Sequence, residues 1–182
     1  MTTNMDRTEI RLAGEGGQGM ILAGIILAEA AAIYDGKNVV QTQSYGPEAR
    51  GGASKSEVVI SGDEIDHPEV IQADVLVALS QEAFRKFSED VKPGGLLIVD
   101  SDKVDSSDRP EAFGIPVTKL AFETTGRIIT ANSVALGALV CLTGVVSREA
   151  IEKAVMARAP RGTEEMNRKA IEAGFEAAAK MK

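Results

Sequence analysis

A glycine-rich hexapeptide, Gly14-Glu15-Gly16-Gly17-Gln18-Gly19, lies between the short apolar run Ile10-Arg11-Leu12-Ala13 and a long apolar run from Met20 to Ile33 broken only by Glu29. No other stretch restricts the fold as much. Strand, glycine turn and helix open a βαβ unit, and Gly14, Gly16 and Gly19 keep the G-x-G-x-x-G spacing. Glycine permits positive φ and close approach of a phosphate or of another backbone. The helix that follows directs free N–H groups and its positive dipole end at the turn, so an anion site is possible there. The alternative reading is a tight strand-to-helix turn with nothing bound.

A dinucleotide site also needs an acidic residue about 20 positions on, at the end of the second strand. That strand is expected at Asn38–Gln43, and it ends Gln41-Thr42-Gln43-Ser44 with no Asp, Glu or Arg. Asp35 precedes it, in the Asp35-Gly36-Lys37 turn. An NAD site is therefore the weakest reading of the glycines.

The chain has 182 residues, enough for one domain with a proper core, and is read as a single domain over 1–182. Hydrophobic residues at 44% and charged residues at 26% argue for a globular chain. A net charge of −7 argues against nucleic-acid binding by phosphate neutralisation, and the absence of Trp argues against base stacking. One cysteine, Cys141, fits a reducing, cytoplasmic compartment and cannot supply the four ligands of an iron–sulfur cluster. It falls in an apolar helical run, Val134–Leu142, and reads as a core residue. The single histidine, His67, precedes Pro68 and lacks a second His or Cys for a metal, so it reads as a surface turn residue. Met1 to Arg7 is polar, without a signal-peptide core, and no apolar run suits a membrane span.

In order along the chain, Glu9–Ala13 is expected as a strand and Met20–Ile33 as a helix. That helix is apolar on every face, so the sheet covers one side and a partner or another helix the rest. After the second strand comes Ser44-Tyr45-Gly46-Pro47-Glu48-Ala49-Arg50-Gly51-Gly52, an irregular loop expected to share the carboxyl edge of the sheet with the Gly14–Gly19 turn. A solvated surface turn is the alternative. Ala53–Ser61 alternates as an antiparallel or edge strand. Val75–Leu79 and Leu96–Val99 read as buried strands, Gln81–Ser88 as a short helix, Pro93-Gly94-Gly95 as a turn and Ile115–Leu120 as a last strand. Asp102, Asp105 and Asp108 mark a solvated loop. The last third reads as helical: Asn132 caps Ser133–Thr143, stopped by Gly144, and Ser147 and Thr163 cap two more. The fold class is α/β, with a Rossmann-like, mainly parallel or mixed sheet in three layers, helices on both faces and a helical C-terminal part. No nucleophile–base pair stands out.

Two stretches carry a resemblance. Gly14-Glu15-Gly16-Gly17-Gln18-Gly19, followed by an Ala-rich helix, resembles the opening of the gamma subunit of 2-oxoacid:ferredoxin oxidoreductases, the pyruvate/ketoisovalerate oxidoreductase gamma domain. Asn38 to Gly52, with Ser44-Tyr45-Gly46-Pro47-Glu48-Ala49-Arg50-Gly51-Gly52, is similar to that family's second signature and most like its 2-oxoglutarate branch. Ala73-Asp74-Val75-Leu76-Val77-Ala78, and Asn132 with Leu136-Gly137, agree with it. The resemblance runs over roughly Glu9 to Ala178, nearly the whole chain.

The resemblance implies a subunit of a complex that converts a 2-oxoacid, CoA and oxidised ferredoxin to acyl-CoA, CO2 and reduced ferredoxin. Thiamine diphosphate and iron–sulfur clusters would sit mainly in the other subunits (alpha, beta and a ferredoxin-like delta), with no cofactor held by this chain alone. Binding residues implied or suggested here are Gly14, Gly16, Gly17, Gln18 and Gly19 in the first loop, then Ser44, Tyr45, Gly46, Glu48, Arg50, Gly51 and Gly52 in the second, and Asn132. The backbone N–H groups of Gly16 to Gly19 are candidates for a CoA phosphate. Arg50 is a candidate for a phosphate or carboxylate, or equally for a pair with Glu48 or an interface contact. Two rivals remain open: a stand-alone Rossmann-like nucleotide-binding module and a purely structural interaction protein. The isolated chain could form a homodimer over its apolar helix.

Overall fold

The computed structural model describes residues 7–46 and 52–182. Six strands form one sheet: β1 (Thr8–Gly14), β2 (Asn38–Ser44), β3 (Ser54–Ser61), β4 (Ala73–Ala78), β5 (Val91–Asp100) and β6 (Phe113–Ile115). Their order is β2-β3-β1-β4-β5-β6. β1, β4, β5 and β6 run parallel, while β3 is antiparallel to both β1 and β2. The mixed α/β sheet agrees with expectation, but β3 is no edge strand; β2 holds that edge. β3 folds back as a hairpin from β2, pairing Ser44 with Lys55, and its other side pairs Gly14 with Ser54. Both glycine-bearing loops therefore leave the sheet at one edge, as the strand order anticipated.

Six α-helices flank the sheet: α1 (Met20–Glu29), α2 (Gln81–Phe87), α3 (Val117–Thr125), α4 (Ala131–Thr143), α5 (Arg148–Arg158) and α6 (Glu164–Ala179). The large core forms where Ile10, Leu12, Val58, Ile60, Val75, Val77 and Ile98 meet apolar residues of α1, α3, α4, α5 and α6. Period-two alternation sends Ala13, Leu76, Ala78, Leu97 and Val99 to the opposite face, where they meet Ala83, Phe84 and Phe87 of α2. The three layers are thus unequal, with one helix on the second face.

α1 is shorter than its apolar run. Its α-helical turns stop at Glu29 and the chain continues as a wider π-helical turn, Ala30–Tyr34. Gly24 lets α1 sit tightly on β3, because a Cβ there would collide with the Ser56 side chain. Leu22, Ile33 and Tyr34 are left exposed, so within this chain α1 is not covered on every side.

Three local expectations are corrected. Pro93-Gly94-Gly95 is not a turn between elements; it lies inside β5, where the pairing shifts register between Ala73/Val91 and Val75/Leu96 and Gly94 has φ 78°. The bulge uses the positive φ that glycine permits. Ile115–Leu120 is not a strand. Pro116 ends β6, and α3 begins at Val117 because the buried Asp100 carboxylate of β5 accepts the Thr118 N–H at 3.0 Å. A long-range carboxylate replaces the local cap, and no local pattern reveals it. Finally, Asn132 and Thr163 do not cap with their side chains. Asn132 lies in the first turn of α4, and the Thr163 hydroxyl donates to the Pro160 carbonyl instead. Ser147 does cap α5, accepting from the Ala150 N–H, and Gly144 ends α4 with φ 61°.

Candidate functional site

A cleft of about 740 Å³ opens at the carboxyl edge of β1. Gly16, Gly17 and Gly19 form one wall, Tyr45, Gly46, Gly52 and Ser54 another, and Asn132 with Ile129 a third. Glu15 stands exposed at its lip, and Met20, Ile21 and Leu22 carry the wall into α1. Loops far apart in sequence, and the start of α4, therefore meet at one place.

The six glycine-turn residues divide into two roles. Gln18 faces inward: its Oε1 accepts the Glu15 N–H at 2.7 Å and its Nε2 donates to the Leu79 carbonyl at 2.9 Å. A Cβ on Gly14 would lie 2.5 Å from Gln18 Oε1, so Gly14 makes room for that amide. Gly14 and Gln18 thus brace the turn against the end of β4 and are not in the cleft wall. Gly17 and Gly19 have φ 88° and 76°, the left-handed region that favours glycine. Gly16 has neither reason to be glycine among the described residues: its φ is not positive and a Cβ there would meet none of them within 4 Å.

Gln18→Glu is expected to loosen this brace. One carboxylate oxygen can still accept from Glu15, but the other would face the Leu79 carbonyl with no proton to offer. The loss should be about 1–3 kcal/mol. Hydrogen exchange at the Gly16–Gly19 amides should accelerate while exchange in α6 stays unchanged. Unchanged protection of the turn would show that the brace is dispensable.

Electrostatically the cleft presents an open helix end. Gly19 caps α1 without a side-chain hydrogen bond, and no acidic residue occupies the first turn. The first N–H inside the helix to find a partner there is that of Ala23, bonded to the Gly19 carbonyl at 2.9 Å. The preceding N–H groups and the positive end of α1 face the turn. Asn132 is 8% exposed and packs against Gly19. Its Oδ1 accepts the Ser133 N–H at 2.9 Å, and among the described residues its Nδ2 has no partner.

Ser44, at the end of β2, lies beside this cleft without lining it; its hydroxyl is 3.4 Å from the Gly46 N–H. Glu48, Arg50 and Gly51 lie outside the described residues. Ile129 and Ser54 are wall residues that sequence reading missed. The exposed pair Ile128-Ile129 was the available signal, because apolar side chains left in solvent mark contact sites. The dinucleotide alternative loses its geometry here. β3 lies between β2 and β1, so β2 is not the strand adjacent to β1 whose end would carry a ribose-binding acid.

A second cleft of about 370 Å³ runs between α1, α4, α5 and α6 and shares Leu22, Ile129 and Asn132 with the first. Arg158 stands at its rim, bonded through Nε to the Glu29 carboxylate at 3.0 Å, and that carboxylate raises its pKa above the ordinary value. Cys141 is half-buried in α4, and His67 is exposed, its carbonyl accepting from Arg7 at 2.6 Å. Among the described residues no three His, Cys, Asp or Glu gather as a metal site, and no helix is long and apolar enough to cross a membrane.

A mixed α/β sheet with a glycine turn and an open helix N-terminus at its carboxyl edge defines the class of fold. The chain belongs to the pyruvate ferredoxin/flavodoxin oxidoreductase family, whose model matches residues 9–177. It is 56% identical over 176 residues to the 2-oxoglutarate synthase subunit KorC of Methanocaldococcus jannaschii, covering 94% of each chain. The fold is similar to the crystal structure of the keto/oxoacid ferredoxin oxidoreductase gamma subunit from Geobacter sulfurreducens, with TM-score 0.83, 55% identity and coverage of 96% of this chain and 97% of that one. It also resembles the 2-oxoglutarate:ferredoxin oxidoreductase of Magnetococcus marinus, determined with 2-oxoglutarate, coenzyme A and succinyl-CoA bound. There the TM-score is 0.85 at 25% identity, covering 97% of this chain and 32% of the longer one.

Proposed function

We propose that this chain is the gamma subunit of a 2-oxoglutarate:ferredoxin oxidoreductase and that its glycine-walled cleft receives an anionic group of CoA. The first half of that statement is supported by the KorC and gamma-subunit relatives, which do not favour a stand-alone nucleotide module. The second half rests on Gly16. Among the described residues neither backbone angle nor packing requires a glycine there, and none of them fills the space a side chain would take. Close approach of a ligand is a physical reason for a glycine at such a place.

In this reading the N–H groups around Gly16 to Gly19 and the end of α1 meet a phosphate, and Asn132 Nδ2 donates to the same ligand. Arg50 supplies a charge-assisted hydrogen bond to a phosphate or carboxylate of the same ligand. CoA supplies the thiol that takes the acyl group. Thiamine diphosphate and the iron–sulfur clusters belong to the alpha, beta and ferredoxin-like delta partners, and one cysteine on this chain cannot hold a cluster. The complex works in the cytoplasm and passes electrons to ferredoxin. Ile33 and Tyr34, exposed after α1, face a partner subunit, or a second copy when the chain is isolated.

Gly16→Ala tests this directly. The substitution fits the folded chain, so the melting temperature should hold or rise slightly. The apparent CoA constant of the assembled complex should rise about tenfold or more, because a methyl group then occupies the ligand's space. An unchanged CoA constant in a complex that assembles normally would remove CoA from this cleft.

A further inference from the structure

The two edges of the sheet are built differently. At one, β6 is only three residues long, and a short strand blunts an edge. At the other, β2 keeps seven residues in unbroken register with β3, from Asn38 opposite Ser61 to Ser44 opposite Lys55. Among the described residues no backbone bond reaches its outer side. Lys, Pro or a bulge would stop a further strand from adding there, and Asn38 to Ser44 carries none of them. Independently of the CoA reading, and choosing between the two occupants named above for the surface after α1, we propose that β2 pairs antiparallel with β2 of a second copy of this chain, about a two-fold axis at Gln41.

Charge selects a second copy as the occupant. In an antiparallel self-pair about Gln41, that residue meets its own copy, Val40 meets Thr42 and Asn38 meets Ser44. A charge at the centre would face its like, which destabilises a strand pair. All seven residues from Asn38 to Ser44 are uncharged, so the strand is complementary to itself. The charged groups beside the edge are committed within the chain. Glu29 accepts from Arg158, Asp35 accepts the Ser147 N–H at 2.6 Å, and Lys37 Nζ donates to the Val145 carbonyl at 2.9 Å.

The surface beside the strand fits the same joint. An apolar groove of about 280 Å³ runs along β2, with Ile25, Ala28, Ile33, Val39 and Gln41 in its walls. The π-helical turn leaves Ile33 67% exposed there and the adjoining Tyr34 39% exposed. Val39 and Gln41 point to this face of the sheet, and Val40 and Thr42 to the other. A two-fold axis normal to the sheet keeps the same face of both copies on the same side. Groove therefore meets groove at the axis, and Ile33 is covered from water. One continuous sheet then runs through both copies.

Sedimentation of the full chain tests this, and the unmodified chain should run as a dimer. Gln41→Glu and Gln41→Lys keep a side chain of similar length at a half-buried position and set like charges face to face across the axis. Each alone should weaken dimerisation by about tenfold or more, and an equimolar mixture of the two should restore it, because an acid then faces a base. A monomeric unmodified chain, a dimer that neither variant weakens, or a mixture that stays dissociated overturns the proposal. If the chain is monomeric and Gln41→Glu blocks its assembly with the other subunits, the edge takes a foreign strand, which also overturns it. Should a charge variant fail to fold, cysteine cross-linking decides. Gln41→Cys should bridge the two copies, since paired strands hold opposite Cα atoms about 4.5–5.5 Å apart, within disulfide reach. Ser44→Cys should not, because its own copy lies about 20 Å away along the strands. Mass mapping separates these bridges from any through Cys141. Equal bridging at both positions, or none at Gln41→Cys, overturns the pairing. None of these failures touches the CoA reading, which stands or falls with Gly16→Ala.

Discussion

Glu57→Ala is expected to destabilise the folded chain by about 3–5 kcal/mol, the scale for breaking a buried ion pair on one side. Arg11 is only 3% exposed, in the middle of β1, directly opposite Glu57 on β3. Its Nε donates to Glu57 Oε1 at 2.8 Å and its Nη2 to the Val70 carbonyl at 2.9 Å, and its guanidinium lies 5.2 Å from the Phe87 ring centre. Nη1 has no hydrogen bond; Asp90 Oδ2 is 3.6 Å away, within ion-pair range but too far to satisfy it. The cation therefore depends on Glu57, which Lys55 also contacts at 2.8 Å. Removing the carboxylate leaves a buried positive charge beside an already unsatisfied nitrogen. Guanidinium melts should show the loss. The double variant Arg11→Met with Glu57→Leu should recover most of it, because it removes the charge together with its partner. A loss below about 1 kcal/mol in Glu57→Ala would mean that Val70, Asp90 and Phe87 hold Arg11 unaided.

The second large effect is expected at the crossing of α4 and α6. A Cβ on Gly174 would clash with the Val134 backbone carbonyl, and one on Gly137 with the Ile171 carbonyl. Each helix thus gives up a side chain where the other's backbone passes. Neither obstacle is a flexible side chain that can turn away. Gly174→Ala should therefore cost about 3 kcal/mol, at the upper end for overpacking. For a chain of this length that lowers the melting temperature by about 6–12 °C. The sign makes the test sharp. Alanine is the better helix former by about 1 kcal/mol, so in an uncrowded helix the same change would raise the melting temperature. A rise would place the two helices farther apart than they stand here.

The two effects differ in how far the sequence foreshadowed them. Gly174 and Phe175 fall with Ala170, Ile171 and Ala178 on the buried face of α6, and that 3.6-residue spacing is a local property of the sequence. What Gly174 faces is not local, and its role as a contact point with Val134 came only from the packing. Arg11 stands within an apolar run and Glu57 within an alternating strand, patterns that do not say what either side chain faces. Both are buried because β3 inserts between β2 and β1, and the register then sets Arg11 opposite Glu57.

Sequence alone determined the punctuation of the chain and the chemistry available to it. Gly19 and Gly144 lie in the left-handed region at helix ends and Ser147 caps α5, since turn and cap residues act through their own backbone and its nearest neighbours. The acidic balance, the single cysteine and the two glycine-bearing loops followed from composition and order, and the loops' wording carried the family. The tertiary structure decided what lies next to what. It inserted β3 into the interior of the sheet, turned Leu120 from strand to helix through a carboxylate on β5, and faced Gln18 inward as a brace. It also brought Asn132 and Ile129, over 100 residues away, to the Gly16 wall. Residue identity governs local dihedral preference and charge. The position of a cleft depends on loop closures and register, which are settled by the free energy of the whole packed chain and leave no short-range signature.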